Sequence, residues 1–153
     1  MGANANKEED WVHPDFSFEC SEDVSFIKLT PNREIVAVGY GSHNIRLFNL
    51  ANKQMLTNIE GCCYSKACGV VCSLDFSPDS RFMAYRWNSE VRILDLSSLQ
   101  MVKSINNENE SVCINFSPNG NFLLTGNYKD RIKVLDLTCD SSVALKVDIK
   151  GRT

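Results

Sequence analysis

The chain has 153 residues, 43% of them hydrophobic and 23% charged, with 16 basic against 19 acidic side chains and a formal net charge of -3. This is the composition of a globular domain with a core of its own, not of a disordered chain. No run of Lys and Arg is long enough to track a phosphate backbone or an anionic membrane, so nucleic acid is not expected as a partner.

The opening residues, "MGANANKEEDWVHPD", lack the apolar core of a signal peptide, and no apolar run approaches the roughly 18 residues of a spanning helix. A cytoplasmic or nuclear location with no membrane span is the expectation. Gly2 is followed by Asn6 where a myristoylation site wants Ser or Thr. The seven cysteines are an odd number in an ordinary composition, which fits reduced thiols better than a secreted disulfide framework. Residues 1–14 are taken as a flexible tail.

"DFSFEC" follows, in which Phe16, Phe18 and Cys20 alternate with Asp15, Ser17 and Glu19, the period of a strand. The segment Val24 to Leu50, "VSFIKLTPNREIVAVGYGSHNIRLFNL", is then repeated twice with variation: "VCSLDFSPDSRFMAYRWNSEVRILDL" from Val71 to Leu96, and "VCINFSPNGNFLLTGNYKDRIKVLDL" from Val112 to Leu137. Pro31, Pro78 and Pro118 fall 47 and 40 residues apart, a period of arrays, propellers or solenoids.

Each copy begins with an alternating run, Ile27 and Leu29, Leu74 and Phe76, or Ile114 and Phe116, with Lys28, Asp75 or Asn115 between the pair. A Thr-Pro or Ser-Pro turn follows, because proline presets the dihedral of the second turn position and Asn or Asp tolerates the bend. Next come a second strand ("EIVAVG", "RFMAYR", "NFLLTG"), a polar turn, and a third strand ("IRLFNL", "VRILDL", "IKVLDL"). A fourth is visible in "MLTNI", in "MVKSI" and in the alternation of Val143, Leu145, Val147 and Ile149. Helical spacing of apolar residues is absent, so the fold class is all-β, with four-stranded antiparallel units stacked face to face.

The shared pattern, an apolar alternation, Phe-Ser-Pro-Asp/Asn, a strand of small residues and Ile/Val-Arg/Lys-apolar-apolar-Asp-Leu, resembles the WD-repeat β-propeller family from about Phe16 to Ile149. The repeats are degenerate. Phe48, Leu94 and Leu135 stand at the signature Trp position, and Asn49, Asp95 and Asp136 at the Asp after it. No Gly-His dipeptide precedes a copy, and Ser42, Asn88 and Lys129 occupy the position of a further structural Asp. The buried Trp-Ser-Asp-His network that the resemblance would imply is therefore missing, and packing is expected to rest on apolar contacts.

The resemblance implies an incomplete β-propeller over residues 15–150, with repeats at about 24–60, 71–106 and 111–149 and residues 151–153 as a short end. It also makes "DFSFEC" an extra N-terminal outer strand without partners, since the last unit already has its fourth strand. Propellers usually close with about four to eight blades, so completion by further repeats or by another polypeptide is expected. Self-association would bring a second unpartnered outer strand.

No catalytic constellation is visible. Only two histidines occur, His13 in the tail and His43 in a turn, and neither a Gly-rich phosphate loop nor a Gly-x-Ser-x-Gly elbow is present. The chain is expected not to be an enzyme and to need no cofactor. "CCYSKACGVVC" is the one suggestive string: Cys62, Cys63, Cys68 and Cys72 could offer four thiolates to zinc or iron, or act as redox sensors. Two of these cysteines are adjacent, however, and neither half is a C-x-x-C, so loop decoration and packing are the plainer reading.

Strand direction brings the turns between second and third strands to one face, together with the links between units. There the sequence gathers Tyr40, His43, Tyr64, Lys66, Arg86, Trp87, Tyr128, Lys129 and Arg131 as candidates for binding other proteins. Arg46, Arg92 and Lys133, repeated in register, read as the wetter side of a strand. The resemblance implies a non-enzymatic protein-interaction scaffold or adaptor, within a larger propeller or a protein complex. A metal or redox sensor built on the cysteine string is the alternative, and a phosphoinositide-binding propeller the weaker one.

Overall fold

The computed structural model describes residue 17 and residues 22–61, 73–106, 113–126, 132–139 and 144–147, the last of these as backbone only. The expected leading strand at 15–20 lies outside them. Twelve described strands form three four-stranded antiparallel sheets. The first holds β1 (Val24–Leu29), β2 (Ile35–Tyr40), β3 (Ile45–Asn49) and β4 (Gln54–Ile59) in that order. The second holds β5 (Leu74–Phe76), β6 (Phe82–Trp87), β7 (Glu90–Asp95) and β8 (Gln100–Asn106). The third holds β9 (Cys113–Phe116), β10 (Phe122–Gly126), β11 (Ile132–Asp136) and β12 (Ala144–Val147).

The turn between first and second strands is built from the same atoms three times. In the second sheet Ser77 N donates to Phe82 O at 2.9 Å, Phe82 N returns to Ser77 Oγ at 2.8 Å, and Ser77 Oγ donates to Asp79 Oδ1 at 2.6 Å. Ser117 and Asn119 repeat this in the third sheet; in the first, Ile35 N donates to Thr30 Oγ1 at 3.0 Å and the hydroxyl donates instead to Ile35 O at 3.2 Å. Arg33, Ser80 and Gly120 take the left-handed conformation that closes the turn, with φ of 62°, 60° and 75°. Thr30 and Ser77 are buried, and their hydroxyls are already hydrogen-bonded within the turn.

The residue at the family's Asp position caps the next turn. Asn49 Oδ1 accepts from Ala51 N and Asn52 N, Asp95 Oδ1 from Ser97 N and Ser98 N, and Asp136 Oδ1 from Thr138 N. The Ser97 and Thr138 hydroxyls, followed by these N–H groups, stabilise the ionised form, so Asp95 and Asp136, like Asp79 with its Ser77 hydroxyl, titrate below the ordinary carboxylate value of 3.8.

The second sheet is apolar on both faces, because neighbouring sheets cover both. One core cluster joins Ala37, Ile45 and Leu47 of the first sheet to Leu74, Phe76, Met83, Tyr85, Leu94 and Leu96 of the second. A second joins Ala84, Val91, Ile93 and Ile105 on the other face of the second sheet to Ile114, Leu123 and Leu135 of the third. Leu94 and Leu135, at the family's Trp position, are thus packed between sheets.

Within a sheet, first and second strands fit by size. Phe26 lies opposite Gly39, and a Cβ on that glycine would fall 1.9 Å from the phenyl ring. Cys113 lies opposite Gly126, where a Cβ would meet its sulfur at 2.7 Å. The corresponding residue in the second sheet is Arg86, whose backbone N–H reaches Ser73 O at 3.2 Å; a small side chain there leaves room for a large one.

Gly39→Ala should therefore destabilise the fold by about 1–3 kcal/mol in urea denaturation, and the loss should shrink when Phe26→Ala is added. Equal losses with and without the phenyl ring would disprove the fit. The lowered Asp values make a second prediction. Stability from Asp79, Asp95 and Asp136 is complete above their unfolded pKa and is lost as pH falls through the lower folded value. The melting temperature should drop below about pH 4, and the triple variant Asp79→Asn, Asp95→Asn, Asp136→Asn, which keeps an acceptor at each turn, should drop less.

Candidate functional site

The innermost strands β1, β5 and β9 run side by side, and polar side chains join them. Asp75 stands at the centre. Its Oδ1 lies 2.7 Å from Lys28 Nζ of β1, and its Oδ2 accepts the backbone N–H of Phe116 in β9 at 2.6 Å. One strand position earlier, Ser73 Oγ accepts the N–H of Ile114 at 2.7 Å. The outer edge of β9 carries N–H groups that β10 does not use, and side chains of the preceding sheet receive them. Lys28, the residue corresponding to Asp75 in the first sheet, cannot accept; it donates to Leu74 O at 3.4 Å, and Phe76 N turns to Asp75 Oδ1 at 2.9 Å. The expectation that packing rests on apolar contacts alone is thereby corrected: the inner rim has a polar joint.

At the end of the sheets where second strand turns into third, two aromatic-cation pairs occur in register. The Arg46 guanidinium sits 4.5 Å from the centre of the Tyr40 ring and 2.7 Å from Glu22 Oε1. The Arg92 guanidinium sits 4.5 Å from the Trp87 ring and 3.0 Å from Glu90 Oε2, which also accepts from Ser104 Oγ at 2.8 Å. The Ser104 hydroxyl, followed by Arg92, holds the Glu90 carboxyl below the ordinary value; the Ser42 hydroxyl, followed by Arg46, does the same for Glu22. Arg46 and Arg92 are thus more than the wet side of a strand: each clamps an aromatic ring.

Of the expected partner-binding residues, Tyr40 is buried, and His43, Arg86 and Trp87 are half-buried at this end. His43 takes φ 66° in a turn closed by its N–H to Tyr40 O at 3.0 Å, and Arg86 Nε donates to Asn88 O at 3.0 Å. Trp87 packs against the core between first and second sheets, leaving part of its ring on the surface. Tyr64, Lys66, Tyr128, Lys129 and Arg131 lie outside the described residues, as do Cys62, Cys63, Cys68 and Cys72. Among the described residues no group of three or more His, Cys, Asp or Glu side chains is placed to hold a metal ion, and no helix is long and apolar enough to cross a membrane. Sequence reasoning missed Asp75, Ser73 and the two ring-clamping arginines as a set, although Arg46 and Arg92 hold the same place in their third strands.

Removing Asp75 strips a charged acceptor from two backbone N–H groups. Asp75→Ala should cost about 1.5–3 kcal/mol in chemical denaturation, whereas Lys28→Ala, at a pair open to solvent, should cost under about 1. Matching losses from the two would mean that the ion pair, and not the backbone contacts, joins the sheets.

Comparison with known proteins adds a repeat match and a fold match. Residues 99–136, from the end of the second sheet through β11, match the model of the WD40 family, described as "WD domain, G-beta repeat". No curated protein matches the chain. Among solved structures, the β-propeller domain of Cps50 (Swd1) from Myceliophteria thermophila superposes with a TM-score of 0.66 at 15% identity, covering 81% of this chain and 39% of that one. The chain spans about two fifths of that propeller's length. The matched segment runs from the last strand of one sheet through the first three strands of the next. One segment of the chain thus matches the WD40 repeat model, and its three sheets stack as part of a β-propeller.

Proposed function

We propose that this chain is a non-enzymatic scaffold or adaptor, acting within a larger propeller or a multiprotein complex, and that it engages other proteins on the face holding His43, Arg86 and Trp87. One observation carries the reading. The face repeats an aromatic ring clamped by arginine, Tyr40 under Arg46 and Trp87 under Arg92, at the same place in successive blades. Arginine and large aromatic side chains held rigid by their neighbours are common interface anchors, because little conformational freedom is lost when a partner covers them.

The test is quantitative affinity capture from cell extract with the wild type, with His43→Ala plus Arg86→Ala on the proposed face, and with Asn32→Ala plus Ser97→Ala at the opposite end. Partners of the scaffold should fall at least about tenfold with the first pair and stay with the second, at unchanged melting temperature. Capture that is indifferent to the first pair would place the binding surface elsewhere. Metal analysis of the same preparations checks the sensor alternative, which predicts zinc or iron that is lost on changing Cys62 and Cys68 to Ser.

A further inference from the structure

The turn between β9 and β10 reads "SPNG", and Asn119-Gly120 is the one Asn-Gly pair in the sequence. An asparagine followed by glycine is the pair least protected from attack by the following backbone nitrogen on the side-chain amide, because glycine has no Cβ to crowd the ring that forms. Asn119 is exposed, so water reaches it. The same place holds Asn32-Arg33 in the first turn and Asp79-Ser80 in the second, where the following residue does carry a Cβ. In the folded turn the reacting groups are engaged. Gly120 N donates to Ser117 O at 2.9 Å, and Asn119 Oδ1 accepts from Ser117 Oγ at 2.6 Å and from Asn121 N at 3.0 Å. The second turn shows the same frame built on a carboxylate: Asp79 Oδ1 accepts from Ser77 Oγ at 2.6 Å and from Arg81 N at 3.1 Å.

We propose that Asn119 is a deamidation site, that the folded turn restrains the reaction, and that the turn accepts the aspartyl product but not the isoaspartyl one. Water relays the Gly120 N–H proton as that nitrogen attacks Asn119 Cγ; the Cγ–Nδ2 bond breaks and ammonia leaves with the proton, closing a five-membered imide. Water then opens the ring. Cleavage at Cγ restores the backbone and leaves aspartate, whereas cleavage at the main-chain carbonyl leaves isoaspartate, whose backbone runs through the former side chain. Nothing is oxidised or reduced, and water is the only co-reactant. Loss of the Gly120 proton and rotation of the Asn119 amide both require the turn to open, which is the restraint. Aspartate at 119 finds the bonds that Asp79 already makes. Isoaspartate takes the carboxyl off the side chain that meets Ser117 and lengthens the loop that Gly120 N–H closes. Ser117 Oγ also accepts Phe122 N–H at 3.0 Å, and β9 is the strand held by Ser73 and Asp75, so the damage falls beside the joint between second and third sheets.

The experiment incubates the wild-type chain in mildly alkaline buffer at body temperature, folded and in concentrated urea. Mass spectrometry follows the peptide around Asn119, with aspartyl and isoaspartyl forms separated by chromatography and the Asn32 peptide as internal reference. In urea Asn119 should convert faster than Asn32, and in the folded protein at least about tenfold more slowly than in urea. Ser117→Ala, which frees the Asn119 amide, should raise the folded rate at least about threefold and leave the urea rate unchanged. Where Ser117→Ala does not fold, sub-denaturing urea on the wild type replaces it, and the rate should rise as the turn opens. Asn119→Asp should keep the wild-type melting temperature at neutral pH, Asn119→Ala should lower it, and isoaspartyl molecules isolated from an aged sample should melt below the aspartyl ones. Equal urea rates at Asn119 and Asn32 would overturn the site, and equal folded and urea rates, or a folded rate untouched by Ser117→Ala, the restraint. An Asn119→Asp variant that melts as low as Asn119→Ala would overturn the fit of the product.

Discussion

Everything in this molecule depends on the fact that a four-stranded antiparallel sheet with two apolar faces cannot hide either one alone. The second blade shows the solution. Met83 on one face and Ala84 and Val91 on the other are fully covered, the first by the preceding blade and the rest by the following one. At about 25 cal/mol per Å² of apolar area removed from water, such burial on two sides dominates the energy of the central sheet. The first and third blades each have only one neighbour among the described residues, and Ile27, Leu29 and Leu124 show on their faces what the second blade has covered.

Apolar faces bring blades together but do not fix how far one slides along the next. Asp75 and Ser73 supply that. Their acceptors meet two N–H groups of β9 two residues apart, and a slide by a single residue would present the wrong edge atoms to both. The joint between first and second blades is looser, because Lys28 reaches across as a donor on a long stem and leaves Asp75 to satisfy Phe76 N itself. The two joints of the inner rim therefore differ: a donor reaches from the first blade to the second, and acceptors from the second to the third.

Much of this fold was legible because the features that build it are local. Alternation marked the strands, and the Thr-Pro and Ser-Pro dipeptides marked the turns whose hydroxyls the structure shows closing onto Ile35, Phe82 and Phe122. Strand ends moved by about a residue, as with β6, which runs on to Trp87. Periodicity says which side chains share a face and is silent on edges, so Asp75 read merely as the polar residue between Leu74 and Phe76. The same limit hid the ring clamps: Arg92 alternates with apolar neighbours, and only the pairing of β6 with β7 brings it over Trp87. Asn49, Asp95 and Asp136 kept their place in the repeat although the Trp before them is gone, since capping a turn needs only an oxygen at that position.

The size match between Phe26 and Gly39, Cys113 and Gly126, and Ser73 and Arg86 sets the grain at which such a chain can be recombined. A crossover falling between the first and second strands of a unit could set Phe26 against a bulky residue or leave a glycine bare, whereas one between whole first-and-second-strand pairs would carry each fitted couple intact. The inheritable cassette in this architecture is thus the hairpin with its Ser-Pro or Thr-Pro turn, and chimeras with seams inside it are the ones expected to misassemble.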